Sequence, residues 1–428
     1  MVFQGEQATF TANVITPNGT TAYVYGYIDW NNDGNFSGTG EVASANRDSD
    51  GPVNLVFNVP LSAVPGTDLG ARFRIGTVEN EVNTANGLAS DGEVEDYMVQ
   101  VKPLDFGDLN DLTAGSGTGD YQTTYSNDGP RHGLPLIPTN AQIFLGGGVD
   151  AEADGQPDMN AGATGNGDGA DEDGVIIPSM FFRGEQADFT ISVTTNTTAY
   201  IYGYIDWNND GLFTGPEEVQ NTSTATSGNV MLTFNVPLNA IINTDLGARF
   251  RIGSVEDEVD QANGFAMDGE VEDYLIKIKG LDFGDLPVAY TTLESEDGPR
   301  HGQPETPQVY LGTAPDTELD GQEDPNAGET GNGDGADEDG VSEPAMLFRG
   351  EEAEFSINVV NNSGTDAKLI GFIDWNNNAI FEAGEMEHVT VSGSGNVSLT
   401  FDVPLNAAIY TDLGARFRIS TDPDFITN

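Results

Sequence analysis

The sequence predicts an all-β protein: tandem antiparallel β-sandwich modules joined by Asp/Gly-rich segments. Three observations predict it. First, the chain repeats itself: Phe3-Gln4-Gly5-Glu6, Phe182-Arg183-Gly184-Glu185 and Phe348-Arg349-Gly350-Glu351 open three copies. Second, short runs alternate apolar residues with polar or small ones, the two-residue period of a strand. Third, no window carries a sustained helical stripe, and Asn, Gly, Thr and Pro break the runs at turn spacing.

The motifs keep one order in every copy. An opening strand leads to an Asp-Trp-Asn-Asn loop, then to a strand ending Phe-Asn-Val-Pro or Phe-Asp-Val-Pro. Thr-Asp-Leu-Gly-Ala-Arg-Phe-Arg-Ile follows, ending at Ile75, Ile252 and Ile419. In the second copy the alternating runs are Ala187 to Val193, Ala199 to Ile205, Val230 to Val236 and Ala248 to Ile252. Five or six such strands in about 100 residues predict a small sandwich. Copies one and two continue to Gly-Glu-Val-Glu-Asp-Tyr at 92–97 and 269–274. Beyond it lie Leu-Asp-Phe-Gly-Asp-Leu, Asp-Gly-Pro-Arg-His-Gly and an Asp/Gly-rich stretch ending Asp-Gly-Val. The expected organisation is a sandwich at 1–103, a connecting segment at 104–178, a sandwich at 179–280, a second connecting segment at 281–345 and an incomplete sandwich at 346–428. The third copy stops at Asn428, before its Gly-Glu-Val-Glu-Asp-Tyr strand. A fragment of a longer protein is the expected explanation, and strand donation from another chain is the alternative.

Charge narrows the partners. Seventy acidic against fifteen basic residues give a net charge of −55, which argues against nucleic acid or an anionic membrane as the partner. Hydrophobic content of 37% and aromatic content of 9% are enough for packed cores, so the acidity does not imply disorder. No stretch approaches a membrane span, and the N-terminus lacks the basic start and apolar core of a signal peptide. With no cysteine, disulfide and thiolate-metal stapling are excluded. A folded chain this acidic is expected to reduce its self-repulsion by binding divalent cations.

Tyr204-Ile205-Asp206-Trp207-Asn208-Asn209-Asp210-Gly211 has that chemistry. Its oxygen side chains are two residues apart and it closes on a Gly that permits a tight turn, the spacing of a calcium loop. Asp206, Asn208 and Asp210 in copy two match Asp29, Asn31 and Asp33 in copy one, with a late carboxylate at Glu218 and Glu41. An EF-hand places its Glu one residue earlier and flanks the loop with helices, so the loop is an analogue of that site. The alternative is a plain Asn/Asp/Gly turn. Copy three has Asp374, Asn376 and Asn378, with Ala379 in place of Gly, so its site is predicted to be weaker or empty, although Glu385 is available to it.

The connecting segments carry a second acidic cluster. Asp150, Glu152 and Asp154 precede Gly155, and Asp316, Glu318 and Asp320 precede Gly321. Asp168, Asp171 and Asp173 follow in the first segment, and Asp334, Asp337 and Asp339 in the second. Matching spacing in both copies predicts one or two calcium ions per segment, against the alternative of a solvated acidic linker.

The few basic residues are placed regularly. Arg72 and Arg74, Arg249 and Arg251, and Arg416 and Arg418 each flank a core-facing Phe on one strand. They are expected to form salt bridges with Glu93 and Glu95 or Glu270 and Glu272. Parity conflicts with this, because Glu272 shares the parity of Tyr274, Ile276 and Ile278, which read as core. The strand is therefore expected either to carry a bulge or to begin after the glutamates. His132 and His301 sit in Pro-Gly turns with no zinc set and no nucleophile beside them, and are expected to be structural. No catalytic residue is predicted.

These residues resemble the GEVED-domain repeats of secreted and cell-surface bacterial proteins, on the Gly-Glu-Val-Glu-Asp signatures at Gly92–Asp96 and Gly269–Asp273. The Ile-Asp-Trp-Asn-Asn-Asp-Gly loop and the Asp-Glu-Asp-Gly-Val segments ending at Val175 and Val341 add to it. The resemblance implies a β-rich extracellular module, found in adhesin-like proteins or appended to secreted enzymes, without defining an activity. The expected function is a calcium-stiffened stalk, fibre or surface filament, with neighbouring repeats or other copies of the chain as partners. The alternatives are an adhesion or carbohydrate-binding module, with Trp30, Trp207 and Trp375 as sugar-stacking rings, and an accessory domain of a secreted enzyme. An exposed Trp platform would favour adhesion, and buried Trp the stalk.

Overall fold

The computed structural model describes residues 1–17, 19–162, 173–216, 218–328 and 339–422. Strands dominate them, and the only α-helices among them are the single turns Glu79–Val82 and Glu256–Val259. The chain forms two compact units. The first comprises Met1–Pro178, Asp188–Phe234 and Asp245–Ile276; the second comprises Ser179–Ala187, Asn235–Thr244 and Lys277–Asn428.

In the first repeat Gln7–Val14 pairs antiparallel with Gly51–Asn58. A second sheet runs in the order Val42–Arg47, Ala22–Ile28, Leu69–Gly76 and Glu93–Val99. The second repeat repeats this sheet as Val219–Thr224, Ala199–Ile205, Asp245–Gly253 and Glu270–Lys277. Its other sheet is larger. Gln186–Thr195 pairs with Gly228–Asn235, and also with Ile143–Leu145 and Val175–Ile176 from the connecting segment. The third repeat likewise adds Val309–Leu311 and Val341–Ser342 to Glu352–Asn361 and Gly395–Asp402. Its second sheet has three strands, Met386–Val391, Ala367–Ile373 and Ala415–Ser420.

One core recurs, built from the period-two pattern. In the first repeat it gathers Val24, Ile28, Trp30, Leu55 and Phe57, all nearly fully buried. Trp30 packs edge-on to Phe57 at 5.9 Å, Trp207 to Phe234 at 6.0 Å and Trp375 to Phe401 at 6.3 Å. Edge-to-face packing suits the ring quadrupoles. The mid-strand glycine between the tyrosines has a packing reason. A Cβ on Gly26 would stand 2.9 Å from the Phe57 ring and 3.0 Å from that of Phe73, and Gly203 and Gly371 are as tightly faced. Sheet and core rings meet closely there only because no side chain intervenes.

The described parts of the connecting segments are folded. Leu104, Phe106, Leu109, Tyr121, Leu134 and Leu145 are all buried, and each segment gives strands to the sheet of the repeat that follows it. Apolar residues spaced too irregularly to read as strands still anchor the chain when other parts of it supply the opposing surface: Leu104 and Phe106 pack with Phe3, Leu61 and Phe265, and Leu109 and Tyr121 with Phe213 and Leu275.

Candidate functional site

The Asp-Trp-Asn-Asn loop starts where the Ala22–Ile28 strand ends. The Asp29 N–H donates to Gly70 O at 3.0 Å, and the Trp30 indole N–H donates to Gly40 O at 2.9 Å. Asn32 and Gly34 take positive φ, 55° and 84°, turning the chain back on Asp29. Asp29 Oδ1 accepts the Asp33 N–H at 3.0 Å and its Oδ2 accepts that of Gly34 at 2.9 Å. Asn31 Oδ1 accepts the Asp33 N–H at 3.0 Å, and Asp33 Oδ1 accepts that of Asn35 at 2.9 Å. Glu41 closes the loop, its Oε2 accepting the Gly38 N–H at 2.6 Å. Its Oε1 is buried and makes no hydrogen bond, in a side chain only 1% exposed. Burial, then the charges of Asp29 and Asp33, push the Glu41 pKa up.

The second repeat reproduces this. Asp206 accepts the N–H groups of Asp210 at 3.1 Å and Gly211 at 2.8 Å, and Glu218 accepts that of Gly215 at 2.5 Å. Burial, then Asp206 and Asp210, raise the Glu218 pKa. The third loop keeps the backbone with altered chemistry. Asp374 still accepts the N–H groups of Asn378 at 3.1 Å and of Ala379 at 2.7 Å. Ala379 therefore takes the left-handed φ of 63° that glycine takes elsewhere, at a cost of about 1 kcal/mol. The Asn376 amide donates to Glu382 at 3.3 Å and to Glu385 at 3.4 Å, and that of Asn378 to Glu382 at 3.4 Å. Amide hydrogens thus meet the late carboxylates in repeat three, whereas in repeat one Glu41 Oε1 has no donor.

Among the described residues no three Asp, Glu or His side chains converge closely enough to hold a metal ion. A hard cation favours oxygen ligands. The observation that fits one is the unpartnered Glu41 Oε1, beside Asp29, Asn31 and Asp33.

The acids of the connecting segments tie down backbone. Glu152 accepts the Phe106 N–H at 2.9 Å, and Asp154 those of Tyr125 at 2.6 Å and Gly155 at 2.8 Å. Glu318 accepts the Phe283 N–H at 3.0 Å, and Asp320 those of Glu294 at 2.7 Å and Gly321 at 2.8 Å. Asp173 accepts the Gly147 N–H and Asp339 that of Thr313, both at 2.7 Å. Burial, followed by Asp105 and Asp150, pushes Glu152 to about 12, and burial, with Asp316 beside it, pushes Glu318 to about 9. Asp150 and Asp316 lie at the surface. Asp168, Asp171, Asp334 and Asp337 lie outside the described residues.

The Gly-Glu-Val-Glu-Asp strand of the second repeat is the densest polar site. Gly269 opens it with φ 93°, where a Cβ would lie 1.7 Å from Ile252 O, so only glycine fits. Asp273 faces Arg249 at 2.7 Å, both side chains fully buried. Arg249 also donates to Gln122 O at 3.0 Å and Thr123 Oγ1 at 3.2 Å, while Asp273 Oδ2 accepts the Leu109 N–H at 2.9 Å. Gly107 admits this approach, since a Cβ there would stand 2.2 Å from Asp273 Oδ2. Glu272 accepts the Gly174 N–H at 2.9 Å, Glu270 accepts that of Leu145, and Asp105 accepts that of Val271 at 2.8 Å. Apart from Arg249 itself, all these partners belong to the segment 104–178. The signature strand is the surface on which that segment docks.

This corrects two expectations. The arginine's partner is the aspartate of the signature, Asp96 or Asp273, not its glutamates. The strand also needs neither a bulge nor a late start: in the first repeat pairing is continuous from Leu69↔Val99 to Ile75↔Glu93. Arg72 and Asp96 are directly opposite and share a face, whereas Glu270 and Glu272 stay on the core-side face, where backbone N–H groups of the connecting segment donate to them.

His132 is fully buried, its Nε2 accepting from Arg251 Nε at 3.0 Å and its Nδ1 donating to Asp268 O at 2.9 Å. His301 accepts likewise from Arg418 at 3.1 Å. Sequence reasoning missed Tyr121 and Tyr290. The Tyr121 hydroxyl bonds Asp206 and accepts the Gly247 N–H at 2.8 Å; that of Tyr290 donates to Asp374 at 2.8 Å and accepts the Gly414 N–H at 3.2 Å. The two tyrosines stand at different distances from their Leu-Asp-Phe-Gly-Asp-Leu motifs, so no spacing marked them.

Residues 23–100 and 200–277 each match the GEVED domain. No curated protein matches the chain. Among solved structures, a 1.5-MDa bacterial ice-binding adhesin aligns over 97% of this chain and 90% of its own at 10% identity, with a TM-score of 0.24. An Escherichia coli alpha-2-macroglobulin aligns over 98% of this chain and 33% of its own at 9% identity, with a TM-score of 0.16. Similarity this slight bears on neither fold nor role. No helix among the described residues is long and apolar enough to cross a membrane, which says nothing of β-barrel spans.

Proposed function

With two GEVED domains in the chain as the premise, we propose that it is a calcium-stabilised structural repeat of a bacterial extracellular stalk, fibre or surface filament, without catalytic activity of its own. The observation that carries the structural reading is where the conspicuous residues go. Trp30, Trp207 and Trp375 are at most 2% exposed, so none offers a face to a sugar ring. The signature acids and arginines of the second repeat bind their own chain. Buried His132 and half-buried His301, each hydrogen-bonded to an arginine, support the non-catalytic reading.

Calcium enters on the unpartnered Glu41 Oε1 and on the net charge of −55. Asp29, Asn31, Asp33 and Glu41 would hold it in the first repeat, and Asp206, Asn208, Asp210 and Glu218 in the second. Bound there, the ion would offset the negative charge of the loop's carboxylates and tie the loop's two ends together. The acids of the connecting segments are second candidates. Chelation tests the reading: the melting temperature should fall and the hydrodynamic radius change when calcium is withdrawn. If both stay constant, calcium has no structural role. An adhesion module would instead need a ligand face elsewhere, and glycan-array binding that survives chelation would favour it.

A further inference from the structure

Beside the Asp-Trp-Asn-Asn loop of the first repeat lies a cavity of about 230 Å³. Trp30, Glu41 and Ala63 are its buried members, each 1% exposed, with Pro60 half-buried beside them. Asn31, Thr39 and Ser62 are exposed and form its rim. Glu41 is the one acid in this lining. Its Oε2 accepts the Gly38 N–H at 2.6 Å, while Oε1 has no hydrogen-bond partner among the described residues. The Asn31 N–H also faces this carboxylate, outside hydrogen-bond geometry for Oε1. Neighbouring acceptors hold their own loop: Asp29 takes the N–H groups of Asp33 and Gly34, and Asn31 Oδ1 takes that of Asp33. The third repeat lacks the free oxygen, because Asn376 donates to Glu385 Oε1 at 3.4 Å.

We propose that this cavity is a binding site for a primary alkylammonium group, the side chain of a lysine on another protein, with Glu41 as its counter-ion. A buried carboxylate oxygen without a donor is costly until a positive group meets it. A guanidinium would use both carboxylate oxygens for its planar fork, and Oε2 is already taken by Gly38. An ammonium is a compact point charge that one oxygen can pair. The alkyl stem would run outward along Ala63, Pro60 and the edge of Trp30, and the rim side chains would meet the backbone of the lysine residue. The volume lies below the roughly 300 Å³ at which pockets for larger ligands begin, which suits one side chain. A net charge of −55 draws a lysine-bearing partner towards the chain. The inference shares Glu41 with the calcium reading and rests on it only in taking that carboxylate as cation-binding. Calcium held there would compete with the lysine.

The test titrates Nα-acetyl-lysine N-methylamide into the whole protein in chelator, followed by ligand-observed NMR at a temperature where circular dichroism shows it folded. Saturable binding is expected. Acetylating the side-chain amine of the ligand, with the protein untouched, should weaken it at least about tenfold, and Glu41→Gln should do the same. Ser62→Leu, on the exposed rim, should also weaken it, whereas Glu385→Gln in the third repeat should leave it unchanged. Absence of binding at about 10 mM ligand overturns the proposal, as does binding indifferent to Glu41→Gln. Binding of butylamine but not of the capped lysine overturns the assignment to a protein side chain. Calcium added last separates the two readings. If it displaces the lysine, both are supported; if the lysine stays bound, this proposal stands and calcium does not occupy Glu41. If the lysine never binds, this proposal fails and the calcium reading is still judged by chelation.

Discussion

The signature strand occurs twice with the same Glu-Val-Glu-Asp-Tyr core and in two environments. In Glu270–Lys277 the first five residues are buried, whereas in Glu93–Val99 the first six are exposed, with Val94 at 57%, Tyr97 at 53% and Met98 at 62%. Both strands hydrogen-bond an equivalent neighbour within an equivalent sheet. What differs is the connecting segment, because described residues of 104–178 lie against the second strand. The signature is therefore not a core strand in the usual sense. Its alternation is acidic because its face receives backbone N–H groups of another segment, and where no described segment covers it the same acids are exposed.

The ion pair breaks the comparison most sharply. Arg249→Met leaves Asp273 buried without its guanidinium and should cost about 3–5 kcal/mol in equilibrium unfolding, releasing amide protection throughout the described part of 104–178. Equal loss from Arg72→Met would mean that burial is not what distinguishes the repeats. Calcium should follow in size. At a hundredfold excess over its dissociation constant it should add about 2.7 kcal/mol, read as slower exchange in 29–41 and 206–218 and little change in 374–385. Equal protection of the third loop would show that Asn378 and Ala379 do not weaken the site.

Acid should loosen the dock next. Burial, then Arg251, holds the His132 pKa well below its usual value, and burial, with Arg418, holds that of His301 at about 3. Because these folded pKa values lie below the unfolded value of about 6.5, the unfolded chain takes up protons that the fold refuses. Stability contributed by neutral histidine is therefore present above pH 6.5 and lost as pH falls, by about 2 kcal/mol per histidine at pH 5. His132→Gln should flatten that slope in the first unit. Gly107→Ala should cost about 1–3 kcal/mol by driving a methyl into Asp273, again with no counterpart in the first repeat. Smallest of all, Asp96→Asn removes a pair whose carboxylate is 59% exposed and screened by solvent, and should cost at most about 1 kcal/mol.

Much of this was legible. The strand at Ala199 to Ile205 appears with those bounds, and that read at Ala187 to Val193 lies within Gln186–Thr195. The turn chemistry of the Asp-Trp-Asn-Asn loop was readable because its contacts are local: Asp29 reaches only four and five residues ahead. The partner of Arg249 was misassigned, because a two-residue period says which residues share a face but not which of them stand opposite one another. The connecting segments looked irregular for a related reason. Leu104, Phe106 and Leu109 have no strand pattern of their own, and their burial comes from packing against other parts of the chain.

Repetition, strand periodicity and short-range turn chemistry are written in residues close together along the chain, so the sequence alone determined the all-β class, the three copies and the loop conformations. Whether a given Glu or Asp faces water or a buried arginine depends on which distant segment lies against it. Asp96 and Asp273 have the same neighbours in sequence and opposite surroundings in space. That was decided only in the tertiary structure, because the energy of a charge is set by the groups and solvent around it, and a repeat does not specify those.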